Sequence, residues 1–140
     1  MSIKRRSAKN KGRQGQAEIA KKLQDYFGME ESDFMSTPSS VTGMDIMLSS
    51  KAKKVFPFAV EVKRTEKINI HEAWRQAKAN ATEELNPLLV FRKNRDEWKA
   101  VLDFDEFLRM NSILVNQGNV IQLLSDKISY MKKKELDEKG

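Results

Sequence analysis

The sequence has 140 residues, which is enough for one domain with a buried core. It contains no cysteine, so disulfides, thiol nucleophiles, cysteine-based zinc sites and iron–sulfur clusters are excluded. With His71 as the only histidine, a metal would be held by carboxylate and carbonyl oxygens, the ligands of Mg²⁺ or Mn²⁺. No apolar signal segment and no run of ~20 apolar residues is present, so we expect a soluble, cytoplasmic protein.

The net charge of +6 comes from the N-terminal end. Residues 1–13 contain no acid, and in the rest of the chain basic and acidic side chains are equal in number. The basic residues of this end are Lys4, Arg5, Arg6, Lys9, Lys11 and Arg13. Residues 1–13 have too few apolar side chains to fold alone, which predicts a flexible basic arm. Such an arm suits a nucleic-acid backbone, although an anionic membrane or solubility would use the same residues.

The first half of the chain predicts one helix and two strands. Apolar residues at spacings of three and four predict a helix over 12–27, ended by Gly28. Residues 29–42 are polar and indicate a connection, with a short extended piece around 34–36. A strand is expected over 45–48, a polar turn over 51–54 and a buried central strand over 55–62.

The second half predicts a helix, a hairpin and further helices. Asn69 caps a helix with its body at 71–85 and an inner stripe of Ala73, Trp74, Ala77 and Ala81. Strands at 88–91 and 98–102 form the hairpin, so the core order is α-β-β-α-β-β with a mixed sheet. A capping box of Asp103 and Glu106 begins a helix to about residue 114, and Gly118 ends it. A second stripe at helical spacing follows, formed by Ile121, Leu124, Ile128 and Met131. We expect residues 14–102 to form the core and 103–140 a helical extension of the same domain.

Charged residues at the end of the central strand indicate a site. Period-2 alternation places Glu61 and Lys63 on one face, where burial of both charges is costly unless they pair, bind a metal or face a cleft. Gly43 permits a close approach of the backbone, and Asp45 opens the adjacent strand, which brings its carboxylate beside Glu61. Two carboxylates and the Val62 carbonyl then offer oxygen ligands to a hard divalent cation. A plain salt bridge between Glu61 and Lys63 is the alternative.

These residues carry a family resemblance. The pattern consists of Glu18 in the first helix, Gly43-Met44-Asp45, Glu61-Val62-Lys63, and Gln76 in the next helix. It resembles the PD-(D/E)XK nuclease superfamily, and within it most closely the small archaeal- and phage-type Holliday junction resolvases, over about residues 11–102. Met44 stands where the family name has proline. The resemblance implies a restriction-endonuclease-like fold, and nothing after Asp103 matches a motif of the family.

The resemblance also implies roles for single residues. Asp45, Glu61 and the Val62 carbonyl would bind Mg²⁺, for which Mn²⁺ can substitute, and Glu18 would complete the site or serve a second ion. Lys63 would orient or deprotonate the attacking water, and Gln76 would position water or phosphate. Besides the basic arm, we consider as DNA contacts Ser39, Ser40, Arg64 and Thr65. The serine and threonine hydroxyls have a more ordinary use in satisfying local backbone groups.

The resulting hypothesis is a Mg²⁺-dependent, structure-selective DNA endonuclease of recombination and repair, encoded by a phage and acting in the host cytoplasm. The leading substrate is the Holliday junction, cut by paired nicks. Two cuts at a symmetric junction predict a homodimer, and the stripe Ile121, Leu124, Ile128 and Met131 could provide part of the dimer contact or pack on its own core. The alternatives are a fork, flap or general DNA nuclease of the same superfamily, and a catalytically inactive DNA-binding module.

Overall fold

The computed structural model describes the backbone of residues 3–140 and the side chains of residues 5–140. The chain divides into two compact units that meet in sequence at Leu102 and Asp103. The elements of the first unit are α1 (Ile3–Phe27), β1 (Phe34–Ser36), β2 (Ile46–Leu48), α2 (Ser50–Val55), β3 (Phe58–Arg64), α3 (Ile70–Asn80), β4 (Asn86–Arg92) and β5 (Lys99–Val101). The second unit is the single helix α4 (Phe104–Lys139). Among the described residues, no helix has the length and apolar content needed to cross a bilayer.

The strands form two sheets. β1 and β2 make an antiparallel pair, and β3, β4 and β5 make a mixed sheet in which β3 and β4 are parallel and β5 runs antiparallel to β4. In the parallel register Glu61 lies opposite Leu89. The predicted mixed α/β fold, with a central sheet flanked by helices, is therefore confirmed, as is the short extended piece at Phe34–Ser36.

The two faces of β3 meet different helices. Val62 lies near Gly15 of α1, so the even-numbered residues of the strand face α1. Glu61 contacts Asn80 of α3, and its neighbour Leu89 packs with the α3 residues of the buried cluster, so the odd-numbered residues face α3. The cluster consists of Ala73, Ala77 and Leu89, with Ile68, Trp74, Phe91 and Val101 packed against it. The inner stripe predicted for α3 is confirmed at Ala73, Trp74 and Ala77.

Several predicted features of secondary structure are wrong. Helix α3 ends at Asn80 rather than at residue 85, because Ala81 is extended as its C-cap, so Ala81 does not belong to the inner stripe. The central strand begins at Phe58 rather than at residue 55. Helix α1 begins at Ile3 rather than at residue 12, because lysine and arginine are good helix formers and extend a helix that the amphipathic part already stabilises. Residues 51–54 belong to helix α2, because the Ser49 hydroxyl accepts the Ala52 N–H at 3.0 Å and caps its first turn. Gly118 does not end a helix, since an isolated glycine costs only about 1 kcal/mol within one.

The capping box predicted at the start of α4 is confirmed in half. The Asp103 side chain accepts the N–H of Glu106 at 3.2 Å and caps the helix. The Glu106 carboxylate, however, accepts hydrogen bonds from Arg109 at 2.6 and 2.9 Å, instead of reaching back to the cap. An arginine three residues further along the helix is a stronger, charged donor for that carboxylate than a backbone N–H. The acidic first turn of α4 is therefore held by a local ion pair.

Helix α1 approaches β3 most closely at Gly15. A Cβ atom at this position would lie 3.0 Å from the Arg64 Cβ, and 3.4 Å from both the Trp98 ring and the Val62 Cγ1. Because the Arg64 Cβ is fixed to the strand backbone, a methyl group would push the helix away from the sheet. Gly12, three residues earlier on the same helix, has nothing within 4 Å of such a Cβ.

This difference predicts that replacing glycine by alanine changes the melting temperature in opposite directions at Gly12 and Gly15. Gly12→Ala should raise the melting temperature, because alanine favours a helix over glycine by about 1 kcal/mol. Gly15→Ala should lower it, since the strain at the strand exceeds that gain. Thermal unfolding followed by circular dichroism measures both variants, and an equal rise in both would contradict the close contact.

Candidate functional site

The odd-numbered face of β3 carries an ion pair next to α3. Glu61 is 7% exposed, and its Oε1 lies 3.0 Å from the Nζ of Lys63. The Oε2 of Glu61 accepts a hydrogen bond of 3.1 Å from the amide Nδ2 of Asn80. The Lys63 side chain is 33% exposed, so it connects the buried carboxylate with solvent. The predicted placement of Glu61 and Lys63 on one face is confirmed.

Asp45 lies at the edge of β3 that β4 leaves free. Its N–H donates to the Val60 carbonyl at 2.9 Å, and its carboxylate accepts the Val62 N–H at 2.7 Å. Since the N–H and C=O of a strand residue point to the same edge, the Val62 carbonyl faces the side where the Asp45 carboxylate lies. Asp45 thus lies beside the Glu61 strand as predicted, but the predicted pairing of the two strands is wrong, because β2 pairs with β1 in a separate sheet.

The segment before Asp45 is held by Thr37. The Thr37 N–H donates to the Asp45 carbonyl at 2.9 Å, and its hydroxyl donates to the Met44 carbonyl at 2.7 Å. Gly43 has a φ of 117°, a conformation that side-chain-bearing residues rarely adopt. A Cβ there would meet nothing within 4 Å, so the close backbone approach predicted for Gly43 is wrong, and the positive φ is its structural requirement.

Burial makes Asp45 electrostatically unusual. Loss of solvent, reinforced by the negative charge of Glu61, raises the pKa of Asp45 to about 6, although the Val62 N–H and Lys63 act in the opposite direction. Two carboxylates kept close together in a partly buried place repel each other, and a cation between them would relieve this repulsion. Perturbed pKa values of this kind cluster at metal-binding and catalytic centres and also occur in structural ion-pair networks.

Glu18 lies on the other side of the sheet. Its carboxylate is bound by Arg64 at 3.1 Å, by Arg92 at 3.0 Å and by the Trp98 indole N–H at 3.2 Å. Arg64 is on the α1 face of β3, opposite to the face of Glu61. The structure therefore does not gather Glu18 with Asp45 and Glu61, because α1 packs on the face that the site does not use.

Helix α3 contributes an amide that differs from the predicted one. Gln76 is exposed, whereas Asn80, one turn further along, donates to Glu61. Sequence reasoning missed Asn80, although a signal existed: Ala73, Ala77 and Asn80 follow the i, i+4, i+7 spacing of one helix face. An asparagine on that face at the end of α3 is placed to meet the odd-numbered residues of β3.

The donor set fits a hard divalent cation in part. Asp45, Glu61 and the Val62 carbonyl are oxygen ligands of the type that Mg²⁺ uses, together with water and substrate phosphate. Within the part of the chain that the structure describes, no three acidic or histidine side chains are grouped so as to hold a metal. A cation here would therefore depend on two carboxylates, one carbonyl and ligands from solvent or substrate.

Two basic clefts flank the N-terminal half of α1. The first basic cleft has a volume of about 680 Å³ and is lined by Arg6, Lys11, Arg64 and Arg95, with Ser7, Asn10, Gln14 and Asn94. The second basic cleft, of about 580 Å³, is lined by Lys9, Gly12, Arg13, Gln16, Ser36, Thr37, Pro38 and Ser39. Six of the predicted DNA contacts thus line these clefts, namely Arg6, Lys9, Lys11, Arg13, Ser39 and Arg64. Arg95, in the turn before β5, was missed, because a single arginine in a turn gives no distinguishing pattern.

The remaining predicted DNA contacts have separate positions. Arg5 and Ser40 are exposed, and the side chain of Lys4 lies outside the described residues. The Thr65 hydroxyl donates to the Lys67 carbonyl at 3.2 Å, which is the local backbone use weighed for such residues. Arg13 donates to the Ser39 hydroxyl at 3.4 Å, which joins α1 to the segment that leads to Asp45.

The raised pKa of Asp45 predicts how stability depends on pH in metal-free protein. Between the unfolded-state pKa of 3.8 and about 6, the folded state holds a proton that the unfolded state releases, so stability falls as pH rises through this window. Asp45→Asn removes the buried charge and should raise the free energy of unfolding near neutral pH by roughly 1 to 2 kcal/mol, allowing for partial exposure. Urea unfolding in EDTA, at acidic and neutral pH, measures this effect.

The matched control is Asp25→Asn, which changes an exposed aspartate paired with Lys21 on the surface of α1. It should leave the fall in stability between acidic and neutral pH unchanged. A fall of equal size in Asp45→Asn and the unaltered protein would show that Asp45 is not the group responsible.

Comparison with known proteins agrees with this geometry. The family described as "Phage putative PDDEXK endonuclease" matches residues 7–139, nearly the whole chain. No curated protein and no solved structure gives a significant match. The observed mixed sheet with flanking helices is compatible with the restriction-endonuclease-like fold. The Gly43-Met44-Asp45 and Glu61-Val62-Lys63 elements meet around the middle of β3, since the strand continues to Arg64 and does not end near Glu61 as predicted. The chain belongs to this family, as a phage-type member of the PD-(D/E)XK nuclease superfamily.

Proposed function

We propose that this nuclease is a Mg²⁺-dependent DNA endonuclease that cuts branched DNA, with the four-way junction as its leading substrate. The observation that carries the proposal is the proximity of Asp45, Glu61 and Lys63 around the middle of β3. The carboxylate of Asp45 is fixed to the strand by a hydrogen bond of 2.7 Å, and Lys63 lies 3.0 Å from Glu61. We place the reaction in the cytoplasm of the host cell.

Asp45, Glu61 and the Val62 carbonyl would hold the divalent cation. When bound, Mg²⁺ supplies positive charge against the charge that develops on the phosphate and lowers the pKa of water. Mn²⁺ shares the preference for oxygen ligands and would substitute. The raised pKa of Asp45 supports this assignment, because a carboxylate that is costly to ionise in a partly buried place gains most from a cation beside it.

The chain's own residues orient the reactants. The Lys63 ammonium, part-exposed beside Glu61, can donate hydrogen bonds to the attacking water and to a phosphate oxygen. Asn80 holds the second oxygen of Glu61, which fixes the orientation of that carboxylate. The water oxygen attacks phosphorus and the bond from phosphorus to the 3′ oxygen breaks, which leaves a 3′ hydroxyl and a 5′ phosphate.

The two basic clefts support binding to the DNA backbone. Arginine and lysine contacts to phosphates position a protein on DNA and carry no direct sequence information. Clefts on both sides of α1 offer sites for two backbone segments, as a branched substrate presents near its crossing point. A symmetric four-way junction requires two cuts, and each copy of the chain has one such site, so we extend the proposal to a homodimer.

Cleavage assays with a matched pair of variants test the site. Glu61→Gln and Lys63→Ala should each reduce cleavage by about 100-fold or more, because both residues act at the reacting phosphate. Labelled four-way junction, fork, duplex and single-stranded DNA, each with Mg²⁺ or EDTA, are the substrates. We expect symmetric nicks at the junction, dependent on Mg²⁺ and absent in EDTA.

The chain contains its own control for this experiment. Glu97 and Lys99 form a second Glu-x-Lys triplet, at β5, where Lys99 pairs with Asp96. Glu97→Gln and Lys99→Ala should cleave as the unaltered protein does. Equal cutting of all substrates would show that the protein is a general nuclease without selectivity for junctions. A preference for forks would show that it is a fork nuclease. Tight binding without cutting under any metal would show that it is a DNA-binding module.

The first basic cleft predicts a salt dependence of DNA binding. Each cation that neutralises one phosphate adds about 0.9 to the slope of log affinity against log salt concentration. Arg6→Ala and Lys11→Ala should each lower this slope by about 1 and weaken binding to all DNA sequences alike. Lys21→Ala, on the same helix but paired with Asp25, is the control and should keep the slope. Equal slopes in all three variants would show that the first basic cleft does not contact DNA.

A further inference from the structure

Helix α4 carries an apolar seam whose spacing is that of a coiled coil. Its 36 residues form one helix in which no residue is buried. From residue 107 to residue 131, positions spaced alternately by three and four are apolar except for Gln117. The seam residues are Phe107, Met110, Leu114, Ile121, Leu124, Ile128 and Met131.

The period of this seam indicates a partner helix. A mean spacing of 3.5 residues keeps the seam positions facing one neighbouring helix, as a/d positions do in a coiled coil, and the exposed Ile113 and Val120 widen the apolar face beside the seam. The seam side chains are largely open to solvent, with Leu114 and Ile121 both 67% exposed. Such a face is complete only when a second helix of similar length covers it.

The charges of α4 are complementary to a second copy in the antiparallel orientation. The first turn is acidic, since Asp103 and Asp105 have no cation in their own turn while Arg109 pairs with Glu106, and the end of the seam is followed by three lysines, Lys132, Lys133 and Lys134. In an antiparallel pair centred near residue 119, the acidic turn of each helix lies beside the partner's Lys132 and Lys133. A parallel pair would instead place Lys127 against the partner's Lys132.

We infer that α4 is a dimerisation helix, which pairs with α4 of a second copy as an antiparallel two-stranded coiled coil. The two-fold symmetry makes one patch serve both subunits, with each seam residue facing its counterpart across the axis. Leu114 then meets the partner's Leu124, and Ile121 meets the partner's Gln117. The inference deepens the homodimer of the proposed function, and its test measures assembly rather than cleavage, so that either proposal can fail alone.

Two adjacent leucines provide a matched test in the full-length chain. Leu124 is on the seam and 55% exposed, whereas Leu123 is off the seam and 69% exposed. Analytical ultracentrifugation should find a dimer for the unaltered protein and for Leu123→Glu, and a monomer for Leu124→Glu, with a dissociation constant raised at least ~100-fold. Far-ultraviolet circular dichroism and the melting temperature show that each variant is folded.

The orientation is tested by a distance. The chain has no cysteine, so Lys133→Cys gives one attachment site for a spin label in each copy. In the antiparallel pair the two labels lie about 40 Å apart along the axis, whereas in a parallel pair they lie within about 20 Å. A monomeric unaltered protein, a dimer that Leu124→Glu leaves intact, or a short distance between labels would each overturn the inference.

Discussion

The candidate site depends on one pair of contacts between Asp45 and the free edge of β3. The Asp45 N–H donates to the Val60 carbonyl, and its carboxylate accepts the Val62 N–H. These contacts take the place of a neighbouring strand, so an acidic side chain occupies the edge where sheet hydrogen bonds would otherwise continue. Asp45 is thereby held next to Glu61 despite the charge repulsion, and the proximity of the two carboxylates is set by the backbone.

The alternation of β3 separates two chemistries within one strand. Glu61 and Lys63 point toward α3, while Val62 and Arg64 point toward α1. The α3 face therefore holds the candidate site, and the α1 face holds Arg64, which binds Glu18 and lines the first basic cleft. The candidate site and the first basic cleft thus lie within a few residues of each other on one strand.

Sequence reasoning found what depends on periodicity and local spacing, and it missed what depends on packing. The placement of Glu61 and Lys63 on one face follows from the two-residue period of a strand, and the Asn69 cap follows from side-chain chemistry. The position of Glu18 could not be deduced, since it depends on which face of the sheet α1 covers. For the same reason, sequence reasoning selected Gln76 where the structure has Asn80. The two amides lie one turn apart on α3, and only the packing of α3 on β3 shows which one contacts Glu61.

Gly15 has a consequence for the orientation of helix α1. Any larger side chain there would strike β3, so only one side of the helix can meet the sheet, and rotation of α1 about its own axis is blocked at this contact. The helix runs without interruption from Ile3, so the rotational setting fixed at Gly15 is transmitted along it as along a rigid rod. The side chain missing at Gly15 therefore sets the directions of the cations along α1, among them Lys11, which lines the first basic cleft one turn away together with Arg64.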